Sequence, residues 1–449
     1  MRNSTAFRIS LAVISTALIF WTFASGLVPE ETYWPYWRGP AADGMAVGDA
    51  PLNWSDTQNV RWKTDIPGRG SSSPVIWGDK IFLTTAIKTD PEAKPEPAAK
   101  PAAKGGGFGM GSGPQVEHKF DVLCIDRKTG KILWQRTAKT AVPHEGYHNQ
   151  YGSFASNSPV TDGQYVYAFF GSRGMYCYDL EGNLIWQKDF GIQMRMIMAF
   201  GEGMAPVISG DRLILVFDHE GDSFMVVLDK NSGKEIWKVD RDEVSSWAAP
   251  LVLEYKGQKQ IVVSATNKVR SYDFDTGEVI WECGGLGRNA IPHPVHQDDF
   301  VLVMTGYMAP NLMAIRLGGK GDLTGTDAVI WSQTRGNSYT ASPVIHDNKF
   351  YVLTDNGMIS CYNAQTGEPY YHQVRLPKSY QFKSSPVGAD GKLYLASENE
   401  DVLVLRMGEK FEVLATNTMT DQMFIATPAI TGGEIYLRSQ ERLYCISED

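Results

Sequence analysis

Eight times along its 449 residues the chain repeats one unit, a small or polar residue and a proline followed by a run of β-branched and aromatic residues. The units open "SSPVIWGDKIFLTT", "NSPVTDGQYVYAFF", "MAPVISGDRLILVF", "AAPLVLEYKGQKQIVVS", "PHPVHQDDFVLVMT", "ASPVIHDNKFYVLT", "SSPVGADGKLYLAS" and "ATPAITGGEIYLRS". Their anchoring prolines are Pro74, Pro159, Pro206, Pro250, Pro294, Pro343, Pro386 and Pro428. After the first interval the anchors stand roughly 42 to 49 residues apart, which suits four short strands with their turns. Inside a unit, "QYVYAFF" or "KFYVLT" supplies strand formers, a polar turn follows, and "GMYCYD" or "GMISCY" alternates again. Nowhere does a helical period persist for three turns. The pattern predicts an all-β fold, an eight-bladed β-propeller of four-stranded antiparallel blades.

A second phrase recurs inside the first: "TGKILWQ" (129 to 135), "GNLIWQ" (182 to 187), "SGKEIWK" (232 to 238) and "TGEVIWE" (276 to 282). Asp or Asn ahead of the turn bonds to the backbone, and glycine takes the left-handed conformation that a tight reversal needs. Trp134, Trp186, Trp237, Trp281 and Trp331 then fall on the last strand of successive units, each expected at a blade-to-blade contact. An indole buries roughly 150 to 250 Å², an upper bound of several kcal/mol per contact at about 25 cal/mol per Å². Unit eight ends at Asp449 without such a strand, whereas "NVRWKTDIPG" (59 to 68) carries Trp62 in the missing slot. The N-terminal strand is therefore expected to complete the last blade and close the ring. Units six and seven carry Tyr371 and Leu414 near the tryptophan position, and softer seams are expected there.

Four of the five cysteines, Cys124, Cys177, Cys361 and Cys445, hold one repeat position. Equivalent positions of neighbouring blades lie beyond the roughly 7 Å that a disulfide bridges, so they read as small buried thiols in a tight slot. A net charge of -9 without a basic cluster excludes a nucleic-acid partner. Arg2 and Arg8 precede an apolar run from Ile9 to Ala24, and residues 1–28 are read as a signal peptide or an N-terminal membrane anchor. That places the chain in the periplasm or cell envelope, touching the membrane only through this segment, as a monomer.

The tandem units, over about 390 residues, resemble the pyrroloquinoline-quinone-like β-propeller repeats. Quinoprotein dehydrogenases share them, as does the BamB-like propeller of the outer-membrane β-barrel assembly machine. "WPYWRGPAADGMA" (34 to 46) is similar to the N-terminal signature of exported bacterial propellers of this group. The resemblance implies either an interaction scaffold with an envelope protein or peptide partner, or a quinone (PQQ) enzyme with calcium, adjacent cysteines and an Asp base. No two cysteines are adjacent here, nor is there a G-x-S-x-G elbow or a zincin helix. The reading is a non-catalytic protein-interaction or ligand-binding scaffold with no cofactor. The alternative is a quinoprotein, or a small-molecule or sugar-active enzyme working at the central channel.

Residues 59–449 form the propeller on this reading and 29–58 an aromatic cap, whose Trp34 to Arg38 would cover one end of the ring or offer a stacking platform. Residues 88–119, rich in Pro, Ala, Lys and Gly, are expected to be a disordered loop of blade 1. Loops entering the innermost strands, and loops between second and third strands, share one face of a propeller. Candidate ligand-binding residues there are His144, Glu145, His148 and Asn149; Arg195 and Glu202; Asp218, His219 and Glu220; Trp247; Arg288, Asn289 and His293; Tyr339; and Lys383. His144, His148 and Glu145 are metal-ligand types without a fixed third partner, so a hydrogen-bonded loop is the simpler reading. Asp218, Glu220 and Asp222 match only fragments of a calcium loop. Arg195, Arg288 and Lys383 are expected to converge on the channel, where they would suit a carboxylate ligand unless each pairs with Glu202 or a neighbouring acid.

Overall fold

The computed structural model describes residues 33–93 and 115–448. Residues 1–28, read above as a signal peptide or membrane anchor, and residues 94–114 of the segment expected to be a loop lie outside them. Eight antiparallel sheets stand around a channel as the blades of a β-propeller, their strands named a to d from the channel outward. Blade 3 is typical: Val207–Ser209, Arg212–Phe217, Ser223–Asp229 and Glu235–Arg241, paired in that order. Its b and c strands are almost wholly buried because neighbouring blades cover both faces, whereas strand d alternates exposed and half-buried at the periphery. Blade 8 takes strands a to c from the C-terminus and strand d, Val60–Asp65, from the N-terminus, with Trp62 opposite Cys445. In blade 1, strands Lys80–Lys88 and His118–Asp126 extend into the segment expected to be loop, with Lys88 paired to His118.

Both halves of a seam sit in the recurring phrase. Trp62 on blade 8 donates its indole N–H to Arg127 O on blade 1 at 2.9 Å, and Trp134 on blade 1 donates to Leu180 O on blade 2 at 3.0 Å. Trp186, Trp237 and Trp331 repeat this on Lys230, Phe274 and Ala364. Each indole lies over the turn glycine of the next blade: a β-carbon on Gly130 would stand 2.6 Å from Trp62. Gly130 also has φ +72°, so the turn and the contact select the same residue. Across the strand pair, each tryptophan faces a small residue: Cys124, Cys177, Val227, Ser271, Ala314 or Cys445. That is the tight slot the cysteines fill, and all five are buried and unpaired.

Three seams depart from this pattern. Between blades 4 and 5 an insertion lays Gly321–Asp322 in parallel along Val279–Cys283, while Trp281 turns its N–H to Gln260 in its own blade. Between blades 6 and 7 the slot holds Tyr371, which meets Phe411 edge-on at 6.1 Å. Between blades 7 and 8 it holds Ala415, opposite Val404, because Leu414 is the bulged residue that the register skips. Leu414, expected near the tryptophan position, is the residue beside the slot: the bulge common to these d strands sets which side chain faces inward. Trp54 from the N-terminal segment fills this seam, stacked on Tyr394 and fixed by its backbone N–H to Asn417.

Around the channel runs a belt of hydroxyls at the position before the anchoring prolines. His293 N–H donates to Ser342, Ser342 N–H to Ser385, Ser385 N–H to Thr427, Thr427 N–H to Ser73, and Ser73 N–H to Ser158, at 2.8–3.1 Å. Each link joins one blade to the next, which explains the small polar residue before proline.

Candidate functional site

The two ends of the channel differ. From the side of the a–b turns, residues 33–50 enter and close it: Tyr33–Trp34 pairs with the inner edge of blade 1, and Met45 bridges to Gly388 of blade 7. Arg38, fully buried, donates to Pro343 O (2.6 Å) and Pro386 O (2.8 Å) just beneath the belt. Burial, partly offset by Asp43 and Tyr36, lowers its pKa to about 10. Trp37 faces the opposite direction and floors a funnel open to the loop face.

That funnel has two lobes sharing Gly203, Trp247, Ile291 and Thr340. The upper lobe, about 160 Å³, adds His148, Tyr151, Phe200 and Tyr339. The lower, about 150 Å³, is walled by belt residues, Trp37 and Lys383. Of the candidate residues, then, His148, Trp247, Tyr339 and Lys383 come together at the funnel. His148 stacks on Tyr151 at 3.6 Å, and Trp247 is fixed by its N–H to Gly201 O at 2.8 Å. Lys383 lies over the Tyr151 ring and pairs with Asp355 (2.9 Å) and Glu398 (3.5 Å).

Other candidates serve the loops. Glu202 is buried on Arg173 and on Ser172, with the His144 ring at 3.9 Å. His144 bonds Met194 O, and Glu145 receives Met196 N–H. Burial, reinforced by the Glu202 charge, raises Glu145 to about 7. Asp218 is a buried bidentate partner of Arg241. His219 and Glu220 hold Arg195 N–H and the Ser245 hydroxyl respectively. Asn149 is exposed, its carbonyl 3.4 Å from Arg69.

Two expectations are corrected. Arg195 and Arg288 do not converge with Lys383: both are exposed, Arg195 reaching only Glu220 O and Arg288 without an ion pair among the described residues. Their loops do reach the funnel, but through Phe200, Gly203 and Ile291, while the two arginines lie on the exposed side of those loops. His293 does not reach the loop face; it is buried in the channel wall against Tyr36 and Trp37, bonded to Ala249 O, and burial drives its pKa to about 3. Asn289, also buried, donates to the Tyr339 hydroxyl. Sequence reasoning missed Tyr151, Phe200 and Ile291, which carry no motif and acquire their roles only from where three loops meet.

The donor set does not fit a quinone with its calcium. Lys383 is already held between two carboxylates, Asp218 is consumed by Arg241, the cysteines lie inside strands, and among the described residues no three His, Cys, Asp or Glu gather as metal ligands. Of the charged candidate residues here, Lys383 and Asp218 are thus structural partners of neighbouring charges.

A family model described as "Outer membrane protein assembly factor BamB" matches residues 118–314 and 320–447. Among solved structures, BamB from Moraxella catarrhalis superposes with TM-score 0.52 at 14% identity, covering 82% of this chain and 98% of that one. A europium-containing methanol dehydrogenase superposes with TM-score 0.62 at 11% identity, covering 94% and 99%. Quinohemoprotein alcohol dehydrogenase from Comamonas testosteroni gives 0.61 at 9% identity, covering 93% and 81%. At these identities the likeness shows the fold alone. A comparison with curated proteins finds no match.

Proposed function

We propose that this chain, which belongs to the family of outer-membrane assembly factor BamB, is a non-catalytic scaffold of the cell envelope that docks a protein partner on its loop face. The observation that carries this reading is a crescent over blades 3 to 5. Met198 (47% exposed), Tyr307 (40%) and Met308 (57%) present large apolar groups to solvent. Backbone bonds from Trp247 to Ala290, a bridge between Arg288 and Tyr307, and Ile197 N–H on the Ser245 hydroxyl join their loops into one surface. Arg195 and Arg288 lie exposed along it without a carboxylate partner among the described residues. An acidic segment with apolar anchors complements such a surface, and methionine adapts to varied shapes. The chain enters the fold at Tyr33 on the opposite face, so a tether preceding it would hold the crescent away from the membrane.

The test is photo-crosslinking in the native envelope from position 308, with position 234 on the opposite face as control. A discrete adduct from position 308, lost with Arg288→Glu, supports docking. Adducts of equal yield from both positions would sink the proposal.

A further inference from the structure

The funnel itself remains unexplained by docking on the crescent. In the belt, Ser73, Ser158, Ser385 and Thr427 each accept one backbone N–H. All four line the lower lobe, all are at least nine-tenths buried, and no acceptor among the described residues takes their hydroxyl hydrogens. Four hydroxyls thus line one small space, each with one lone pair taken by a backbone N–H and its own hydrogen still to donate, a set that suits a ligand rich in acceptor oxygens.

The charge beneath them has the matching sign. Arg38 lies directly under the belt, and Arg438 backs it through bonds to Ser72 O (2.8 Å), the Ser72 hydroxyl and Thr84 O (2.9 Å). Both guanidinium groups are fully buried and neither makes an ion pair among the described residues. Asp43 is close enough to offset part of the burial of Arg38, whereas Arg438 has only burial acting on it; buried cations so weakly compensated favour an anion placed nearby. Lys383, held by Asp355 and Glu398, adds no free cation. Above the belt the wall is aromatic and apolar, with Trp247, Phe200, Tyr339 and Ile291. Below it Trp37 closes the funnel, so only the end of a molecule can enter. The two lobes together approach the lower end of the roughly 300–1,000 Å³ typical of ligand sites.

From this geometry we infer that the funnel is a carboxylate-binding site for an apolar end group: the terminal carboxylate of a polypeptide on the belt hydroxyls, its last side chain in the aromatic lobe. A free arylalkyl carboxylate has the same chemistry, and the experiment separates the two sources.

The full chain is titrated calorimetrically with Ala-Ala-Ala-Phe as free acid, with the same peptide as C-terminal amide, and with 3-phenylpropionate. The acid is expected to bind at least about tenfold tighter than the amide, since a charge-assisted set of donors is lost with the carboxylate. Gly203→Leu fills the junction of the lobes; a β-carbon there stands 3.5 Å from Trp247 and 3.7 Å from Ser156, so the fold has room for it. It is expected to abolish the saturable heat, whereas Lys234→Glu in an exposed turn on the opposite face leaves it unchanged. Should Gly203→Leu lose its β-sheet circular dichroism, Ile291→Trp carries the same test. Equal binding of acid and peptide amide, binding that survives the filled funnel, or no saturable heat from any probe overturns the inference. Binding of phenylpropionate as tight as that of the peptide assigns the site to small carboxylates; binding of the peptide alone assigns it to chain ends.

Discussion

The seam between blades 1 and 2 and the seam between blades 7 and 8 do the same work with different parts. In the first, Trp134 lies over Gly182 and donates to Leu180 O, both halves coming from adjacent copies of one phrase. In the second the slot holds Ala415, blade 8 has no c–d turn to receive an indole because its fourth strand comes from the other end of the chain, and Trp54 fills the gap. A repeat carries its own glue only where the chain runs on from one blade to the next. Where the ring closes on itself that continuity fails, and a segment some 360 residues away in sequence supplies the missing ring, as the bond from Trp54 N–H to Asn417 shows.

The sharpest way to break this comparison is a pair of truncations. Trp134→Ala and Trp54→Ala are each expected to cost about 3–5 kcal/mol, the range for large aromatic groups removed from a packed interior, read as a shift in the urea midpoint at unchanged slope. A cost below about 1 kcal/mol for Trp54→Ala alone would show the closing seam to be soft, as the sequence pattern suggested. Next in size is restoration of the repeat residue. Ala415→Trp should destabilise by about 1–3 kcal/mol, because Trp54 and Tyr394 already occupy the space; a gain in stability would reveal an empty slot. The smallest effect concerns the loops above the tryptophan-sealed seams, where Glu145 ties one loop to Met196 N–H of the next. Burial, with the Glu202 charge, lifts Glu145 from 4.5 to about 7, against the pull of Met196 N–H, Arg173 and Arg195. The unfolded chain releases this proton first, so stability falls as pH rises from 4.5 to about 7. Partial exposure trims the effect to about 1 kcal/mol. Thermal melts across that window should flatten in Glu145→Gln; an unchanged slope would assign the titration elsewhere.

Much of the ring was legible because its signals are local and repeated. Eight prolines counted the blades, the turn glycines and tryptophans marked the hairpins, and Trp62 announced the shared blade. Leu414 shows how far such reading reaches: a one-residue bulge moves Ala415 into the slot beside it, and no residue type marks the bulge. The candidate site was less legible. Loop residues were assigned to the correct face, yet His293, Arg195 and Arg288 fell outside the funnel while Tyr151, Phe200 and Ile291, without any motif, form its wall.

The sequence by itself determined the number of blades, the order of strands and the contacts between consecutive copies, since all of these rest on hydrogen bonds and packing between segments close in the chain. Only the tertiary structure decided that the channel is closed at one end by Trp37 and Arg38, that Trp54 fills the last seam, and that the belt hydroxyls face a common space. Those arrangements join residues hundreds of positions apart, and a side chain's local pattern carries no record of the partner that ring closure brings to it.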